Sequence, residues 1–179
     1  MRPDEAAQLL DLWLDQDQLR RRTLQPRQRD QVLDAFAQMG LPLYLRLAFE
    51  EARRWKSYPR PTDTALRASV DGIIHENLLG RLAAEHGKPM VSRALGYLCA
   101  ARRGLSEDEM LDVLSSDTDV FTDFRERAQH DPPEQRLPVI VWSRLYFDLE
   151  PYLAERETHG TPVLNFYHRQ FGEWPPRPS

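Results

Sequence analysis

Tyr152-Leu153-Ala154-Glu155-Arg156-Glu157-Thr158-His159-Gly160-Thr161-Pro162-Val163-Leu164-Asn165-Phe166-Tyr167-His168-Arg169-Gln170-Phe171 carries two short apolar-rich runs around a small polar tip. Val163, Leu164 and Phe166 suit a pleated, half-buried surface. With Tyr152–Arg156 before Glu157-Thr158-His159-Gly160 and Pro162–Phe166 after it, the pattern predicts a β-hairpin. Beyond it, His168 and Arg169 lead into a short helical turn carrying Phe171. An imidazole at the end of a buried strand has a defined position and can donate a hydrogen bond to a phosphate oxygen. Taken alone, His168 reads first as a satisfied, half-buried strand-end histidine.

Upstream of the hairpin the periodicity is helical. Pro138 begins a helix with Val141, Leu145 and Leu149 on one face and Trp142 and Tyr146 beside them. Ser106-Glu107-Asp108-Glu109 is a capping box that starts a short helix burying Met110, Leu111 and Leu114. Pro89 opens a helix with Val91, Ala94, Leu95, Leu98 and Cys99 inward, and Gly104 closes it. Helices at about 89–103, 107–114 and 138–150, closed by the hairpin, describe a winged helix. Between them, Ser115 to Gln135 is polar and anchored only by Phe121 and Phe124, and Asp131-Pro132-Pro133-Glu134 is a loop. A further helix, Ser69 to His86, precedes the set. Asn77 shares its apolar face and needs a hydrogen-bond partner if buried.

The N-terminal part reads as three helices. The first runs from Asp4 with Leu9, Leu10, Trp13 and Leu14 on one face. The second runs from Pro26 through Val32, Leu33, Phe36 and Met39 to a stop at Gly40. Pro42 opens the third, which continues through Ala52 to Trp55. The Gly40-Leu41-Pro42 corner places a rigid apolar ring at a helix N-terminus, where a flat base could rest. Ser57-Tyr58-Pro59-Arg60-Pro61-Thr62-Asp63 is the best boundary, because its prolines exclude regular structure. The expected fold class is mainly α, a small helical bundle followed by a winged-helix domain with one short β-hairpin. The expected divisions are residues 1–58, a linker at 59–68, a winged-helix domain with its preceding helix at 69–171 and a frayed tail at 172–179.

Composition narrows the functional classes. The chain has 179 residues and a net charge of −4. No apolar run approaches the ~20 residues needed to cross a bilayer, and the N-terminus lacks the pattern of a signal peptide. Cys99 is the single cysteine and is expected as a small buried side chain. These features point to the cytosol, with no membrane partner. No GxxxxGK[ST] or GxGxxG loop, no zinc-type His/Cys spacing and no serine in a nucleophile elbow is present. An independent enzyme is not expected. Residues 106–179 carry 7 basic and 15 acidic side chains, a net of −8. That is the wrong sign for a phosphate backbone, so the winged helix is expected to bind protein rather than nucleic acid.

Five segments in order, Gly40-Leu41-Pro42-Leu43-Tyr44-Leu45, Arg53-Arg54-Trp55, Arg103-Gly104-Leu105-Ser106-Glu107-Asp108-Glu109, Leu137-Pro138 with Trp142-Ser143, and Phe166-Tyr167-His168-Arg169-Gln170-Phe171, carry a further signal. Their order resembles NACHT-type signal-transduction ATPases (STAND proteins), in particular those whose ATPase core precedes WD or tetratricopeptide repeats. The likeness runs from about residue 5 to 171. It implies the regulatory C-terminal part of a nucleotide switch, with residues 1–58 as a helical lid followed by the winged helix. It implies that Pro42 packs near adenine, that His168 contacts the β-phosphate of ADP, and that Arg169 lies in the same neighbourhood. ATP or ADP with Mg is then expected only in a full-length family member, and no cofactor for this chain alone. The implied partners are an upstream P-loop NTPase domain, a downstream repeat domain, and protein partners or self-association. The family's phosphate loop and Mg-binding acidic strand belong ahead of Met1, so the chain is expected to be either a piece of such a switch or a separate gene product. The alternative function is a stand-alone helical and winged-helix adaptor that binds protein without nucleotide.

Overall fold

The computed structural model describes residues 1–16, 24–56, 64–128, 136–158, 160–168 and 171. It divides into two compact units, Met1–Leu79 and Gly80–Ser179. Among the described residues the architecture is mainly helical with one antiparallel hairpin, as the periodicity predicts.

In the first unit, α1 (Pro3–Gln16), α2 (Pro26–Met39) and α3 (Pro42–Ala52) pack as a bundle. α1 contributes Ala6 and Leu10, α2 contributes Val32 and Phe36, and α3 contributes Tyr44, Leu45, Ala48 and Phe49 to one core. Burying these side chains supplies roughly 1.5–3 kcal/mol each for the larger ones, before chain entropy is subtracted. α3 stops at Ala52 rather than continuing to Trp55. The amide of Arg53 still reaches Phe49, but Arg54 and Trp55 bond three residues back, in a tightening turn. Three polar side chains fasten the following segment to the bundle. Gln28 Nε2 donates to the Lys56 carbonyl (2.9 Å), Gln31 Nε2 to Thr64 (2.6 Å) and the Tyr44 hydroxyl to Arg67 (2.7 Å).

The unit ends in α4 (Val70–Gly72), capped by the Ser69 side chain, and a π-helical run over Ile73–Leu79. The π geometry was not expected from the sequence, which reads simply as a helix through this region. Asn77 finds the partners its position demands. Its Oδ1 accepts from the Arg67 amide (3.1 Å), and its Nδ2 donates to the Ala65 carbonyl (2.7 Å).

The second unit contains α5 (Gly80–His86), α6 (Lys88–Ala100), α7 (Glu107–Ser116), α8 (Thr118–Arg127) and α9 (Val139–Leu149). A single 3₁₀ turn (Glu150–Tyr152) leads into β1 (Leu153–Thr158) and β2 (Thr161–Phe166). The strands pair in register from Leu153↔Phe166 to Thr158↔Thr161, so the connection is tighter than the four-residue tip expected. His159, in that connection, lies outside the described residues. The capping box forms as read: Ser106 Oγ accepts from the Glu109 amide, and Glu109 Oε2 accepts from the Ser106 amide (2.8 Å).

Two expectations need correction here. The polar stretch after Ser115 contains α8, which buries Val120 and is started by Asp117, whose Oδ1 accepts from the amides of Asp119 and Val120. Cys99 is half-buried rather than buried, with its thiol 3.6 Å from the Phe171 carbonyl.

Leu105 adds a short third arm to the hairpin. It forms an antiparallel bridge with Leu164, on the opposite side of β2 from β1. The arrangement is helix, bridge, helices and hairpin around a core of Leu95, Leu98, Met110, Leu114, Trp142 and Leu145. This is a winged helix with α8 inserted between α7 and the helix that feeds the wing.

Candidate functional site

Pro42 belongs to the first unit and His168 to the second, and each is set by its own surroundings. At Pro42 the determinant is backbone geometry. Gly40 ends α2 in the left-handed region (φ 65°), with its amide bonded to the Phe36 carbonyl (2.8 Å). An added Cβ at Gly40 would meet nothing within 4 Å, so glycine is required there by φ rather than by space. Leu41 is extended, and Pro42 takes the first position of α3, where a missing N–H has no cost to the helix. Leu41 and Pro42 are both exposed and form an apolar step at the start of α3.

One face of α3 is strongly ionic. Glu50 is fully buried, with Arg46 Nη2 at 2.8 Å and Arg53 Nη1 at 3.1 Å. The Arg46 guanidinium also lies over Trp13 (5.2 Å) and Phe49 (5.5 Å), and Arg53 over Phe49 (5.7 Å). Helical spacing shows that Arg46, Glu50 and Arg53 are neighbours, but not that the carboxylate is buried.

His168 follows β2 and is half-buried. Its carbonyl accepts from the Phe171 amide (3.2 Å), while the amide of Tyr167 donates to Tyr152 (3.2 Å). Phe171 sits among aromatic rings, stacked on Phe166 (5.5 Å) and packed on Tyr152 (5.5 Å) and Tyr167 (5.7 Å). The Tyr167 ring meets the His168 ring edge-on at 6.4 Å. The backbone around His168 is therefore pinned on both sides by an aromatic cluster, as the strand-end reading requires. Arg169 lies outside the described residues.

α7 and α8 meet at a second polar cluster. The Tyr97 hydroxyl donates to Asp117 Oδ2 (2.6 Å), Arg93 Nε lies 3.2 Å from the same oxygen, and Arg93 Nη2 is 2.6 Å from Asp119. Partial burial opposes charge on Asp117. The Tyr97 hydrogen bond, the capped amides and the Arg93 charge outweigh it, and the carboxyl titrates below the ordinary aspartate range. The same bond to Asp117 raises the Tyr97 phenol. This cluster joins α6 to the start of α8. Its parts are too far apart in the chain for spacing to reveal it.

The outer surface bears on partners. α7 exposes Glu107, Asp108, Glu109 and Asp112, of which Asp112 pairs with Arg136 (2.7 Å). α9, the helix directly before the wing, exposes Val139 and Ile140. No helix of the described residues is long and apolar enough to cross a membrane.

Bridge, helices and hairpin together define a winged-helix region. The chain belongs to the NWD1-like winged helix-turn-helix domain family, whose model matches residues 62–171. It is similar to human NACHT domain- and WD repeat-containing protein 1, with 41% identity over 154 residues, 86% of this chain and 10% of the relative. The mouse protein of the same name is 38% identical over the same share of each chain. Mouse NACHT and WD repeat domain-containing protein 2 is 36% identical over 138 residues, 77% of this chain and 8% of the relative. The chain thus spans about a tenth of the length of the curated relatives it matches. No solved structure matches it. The NACHT-type likeness carried by the Gly40–Leu45 to Phe166–Phe171 segments is therefore a family relationship, and this chain corresponds to a winged-helix region of such proteins.

Proposed function

We propose that this chain is a regulatory, non-catalytic part of a NACHT-type nucleotide switch, closing as lid and winged helix over ADP or ATP held by an upstream P-loop core. The observation that carries the reading is the family match over residues 62–171, in relatives whose names join a NACHT domain to WD repeats. In this proposal the exposed Pro42 ring at the start of α3 supplies an apolar face for adenine. His168, fixed by the Tyr152–Phe171 aromatic cluster, donates to the β-phosphate and holds the closed state. Arg169 is a further candidate for the same phosphate. Mg and nucleotide belong to the complete switch, and this chain alone binds nucleotide weakly and turns none over. A WD-repeat domain downstream, and protein partners or self-association, complete the proposed assembly in the cytoplasm.

A second reading has its own observation. The exposed acidic face of α7 and the apolar residues on α9 present a surface suited to protein rather than to nucleic acid. In that reading the chain is an adaptor without nucleotide.

The two readings part at His168. In the protein encoded by the complete reading frame, His168→Ala is expected to release a fluorescent ADP analogue about tenfold faster, the loss of one charge-assisted hydrogen bond. An unchanged release rate, with only a small loss of thermal stability, favours the adaptor.

A further inference from the structure

Glu85 and His86 close α5, and Asp148 lies in the last turn of α9. The His86 Nε2 atom is 2.9 Å from Asp148 Oδ2 and 3.9 Å from Glu85 Oε2. One donor atom from each of the three residues lies within 4.8 Å of the other two. The side chains of His86 and Asp148 are 13% and 14% exposed, and that of Glu85 is 51% exposed. Two donors are thus held by packed helices, and the third stands at the mouth. A cavity of about 300 Å³ lined by Glu85, His86, Met90, Phe124 and Arg144 opens beside them.

We propose that Glu85, His86 and Asp148 form a binding site for Zn²⁺, with water completing the coordination. Zinc binds imidazole nitrogen and carboxylate oxygen at about 2.0–2.2 Å, which places tetrahedral donors roughly 3.3–3.5 Å apart. That separation falls between the two distances measured from His86, and the Asp148 and Glu85 oxygens, which lie within 4.8 Å of each other, would have to draw together to take up an ion. A neutral imidazole with two carboxylates carries two negative charges, matching a divalent cation. A single nitrogen and two oxygens suit zinc better than Mg²⁺ or Ca²⁺, which take all-oxygen shells of six or more ligands.

The surrounding cations limit the affinity. Arg81 Nη1 lies 3.6 Å from Glu85 Oε2, and Arg127 donates to the Glu85 carbonyl (3.1 Å). Arg81 would have to yield the Glu85 carboxylate, so a micromolar rather than a structural-zinc affinity is expected. A bound ion would tie the end of α5 to the end of α9, immediately before the turn that leads into β1. The site does not depend on nucleotide.

The test is a zinc titration of the 179-residue chain against a chromophoric chelator. One Zn²⁺ per chain with a dissociation constant on the order of 10 µM is expected. His86→Gln and Asp148→Asn are each expected to weaken it at least tenfold, with folding checked by circular dichroism. Zinc should raise the melting temperature of the parent chain and not that of His86→Gln, and Mg²⁺ should raise neither. If the core variants fail to fold, the exposed Glu85→Gln serves instead, with about tenfold weaker binding expected. No zinc binding to the parent chain at millimolar concentration, or unchanged affinity in the folded variants, overturns the proposal.

Discussion

Leu105 and Leu164 exchange both of their backbone hydrogen bonds. The Leu105 amide donates to Leu164 at 3.3 Å, and the Leu164 amide to Leu105 at 2.8 Å. Leu164 also pairs with Glu155 of β1, so it is held from both sides four residues before His168. Whatever His168 contacts, its position is inherited from this central strand.

The bridge makes Gly104 intolerant of substitution. Gly104 has φ 85°, and a Cβ there would meet the Asn165 side-chain amide and, at 2.7 Å, the Leu164 carbonyl. Gly104→Ala is therefore expected to lower unfolding free energy by about 1–3 kcal/mol. Urea denaturation measures it. Hydrogen exchange at the Leu164 amide should accelerate by more than the global loss of stability explains. A variant as stable as the parent would show that the hairpin is not held this closely.

Asp117 should govern part of the acid response. Its carboxyl titrates lower in the folded chain than in the unfolded one, so the unfolded state takes up protons first as pH falls. The stabilisation is complete above the unfolded value of about 3.9 and is lost as pH drops through the lower folded value. Asp117→Ala, which also removes the cap of α8, is expected to cost about 1–2 kcal/mol at pH 7. The gap between parent and variant should narrow below about pH 4. Thermal melts from pH 7 to pH 2.5 test this, and a gap independent of pH would contradict it.

Glu50 is buried without exposure between Arg46 and Arg53. Removing the carboxylate leaves two guanidinium groups around a cavity. Glu50→Ala is expected to destabilise the first unit by about 3–5 kcal/mol, the usual result of breaking a buried pair from one side. Denaturant unfolding followed by the fluorescence of Trp13, which Arg46 covers, provides the readout. A loss under about 1 kcal/mol would place the pair among exposed, weakly contributing ones.

Much of this fold was legible because its signals are local. Gly40 with Pro42, the Ser106–Glu109 capping box and the two apolar-rich runs around the hairpin's polar tip each declare themselves within a few residues. α8 was not legible for a physical reason. Its ten residues bury only Val120 fully, so it lacks an apolar stripe, and its start depends on Asp117 acting as a cap. The π run over Ile73–Leu79 departs too little from helical spacing to show in the pattern of apolar residues. At the candidate site, the sequence places Pro42 at a helix start and His168 at a strand end, and the structure has them so. It carries no sign of the contact between His86 and Asp148, which are 62 residues apart, because only tertiary packing brings α5 to α9.

The central claim is that this winged-helix region serves a nucleotide switch, and nucleotide content tests it most directly. The protein encoded by the complete reading frame containing residues 1–179 should be purified without added nucleotide, denatured, and its released bases quantified by ion-exchange chromatography. The account predicts close to one ADP per chain, and a GxxxxGK[ST] loop encoded ahead of Met1. A folded protein that carries no nucleotide, and binds none on addition of ADP and Mg, would contradict it.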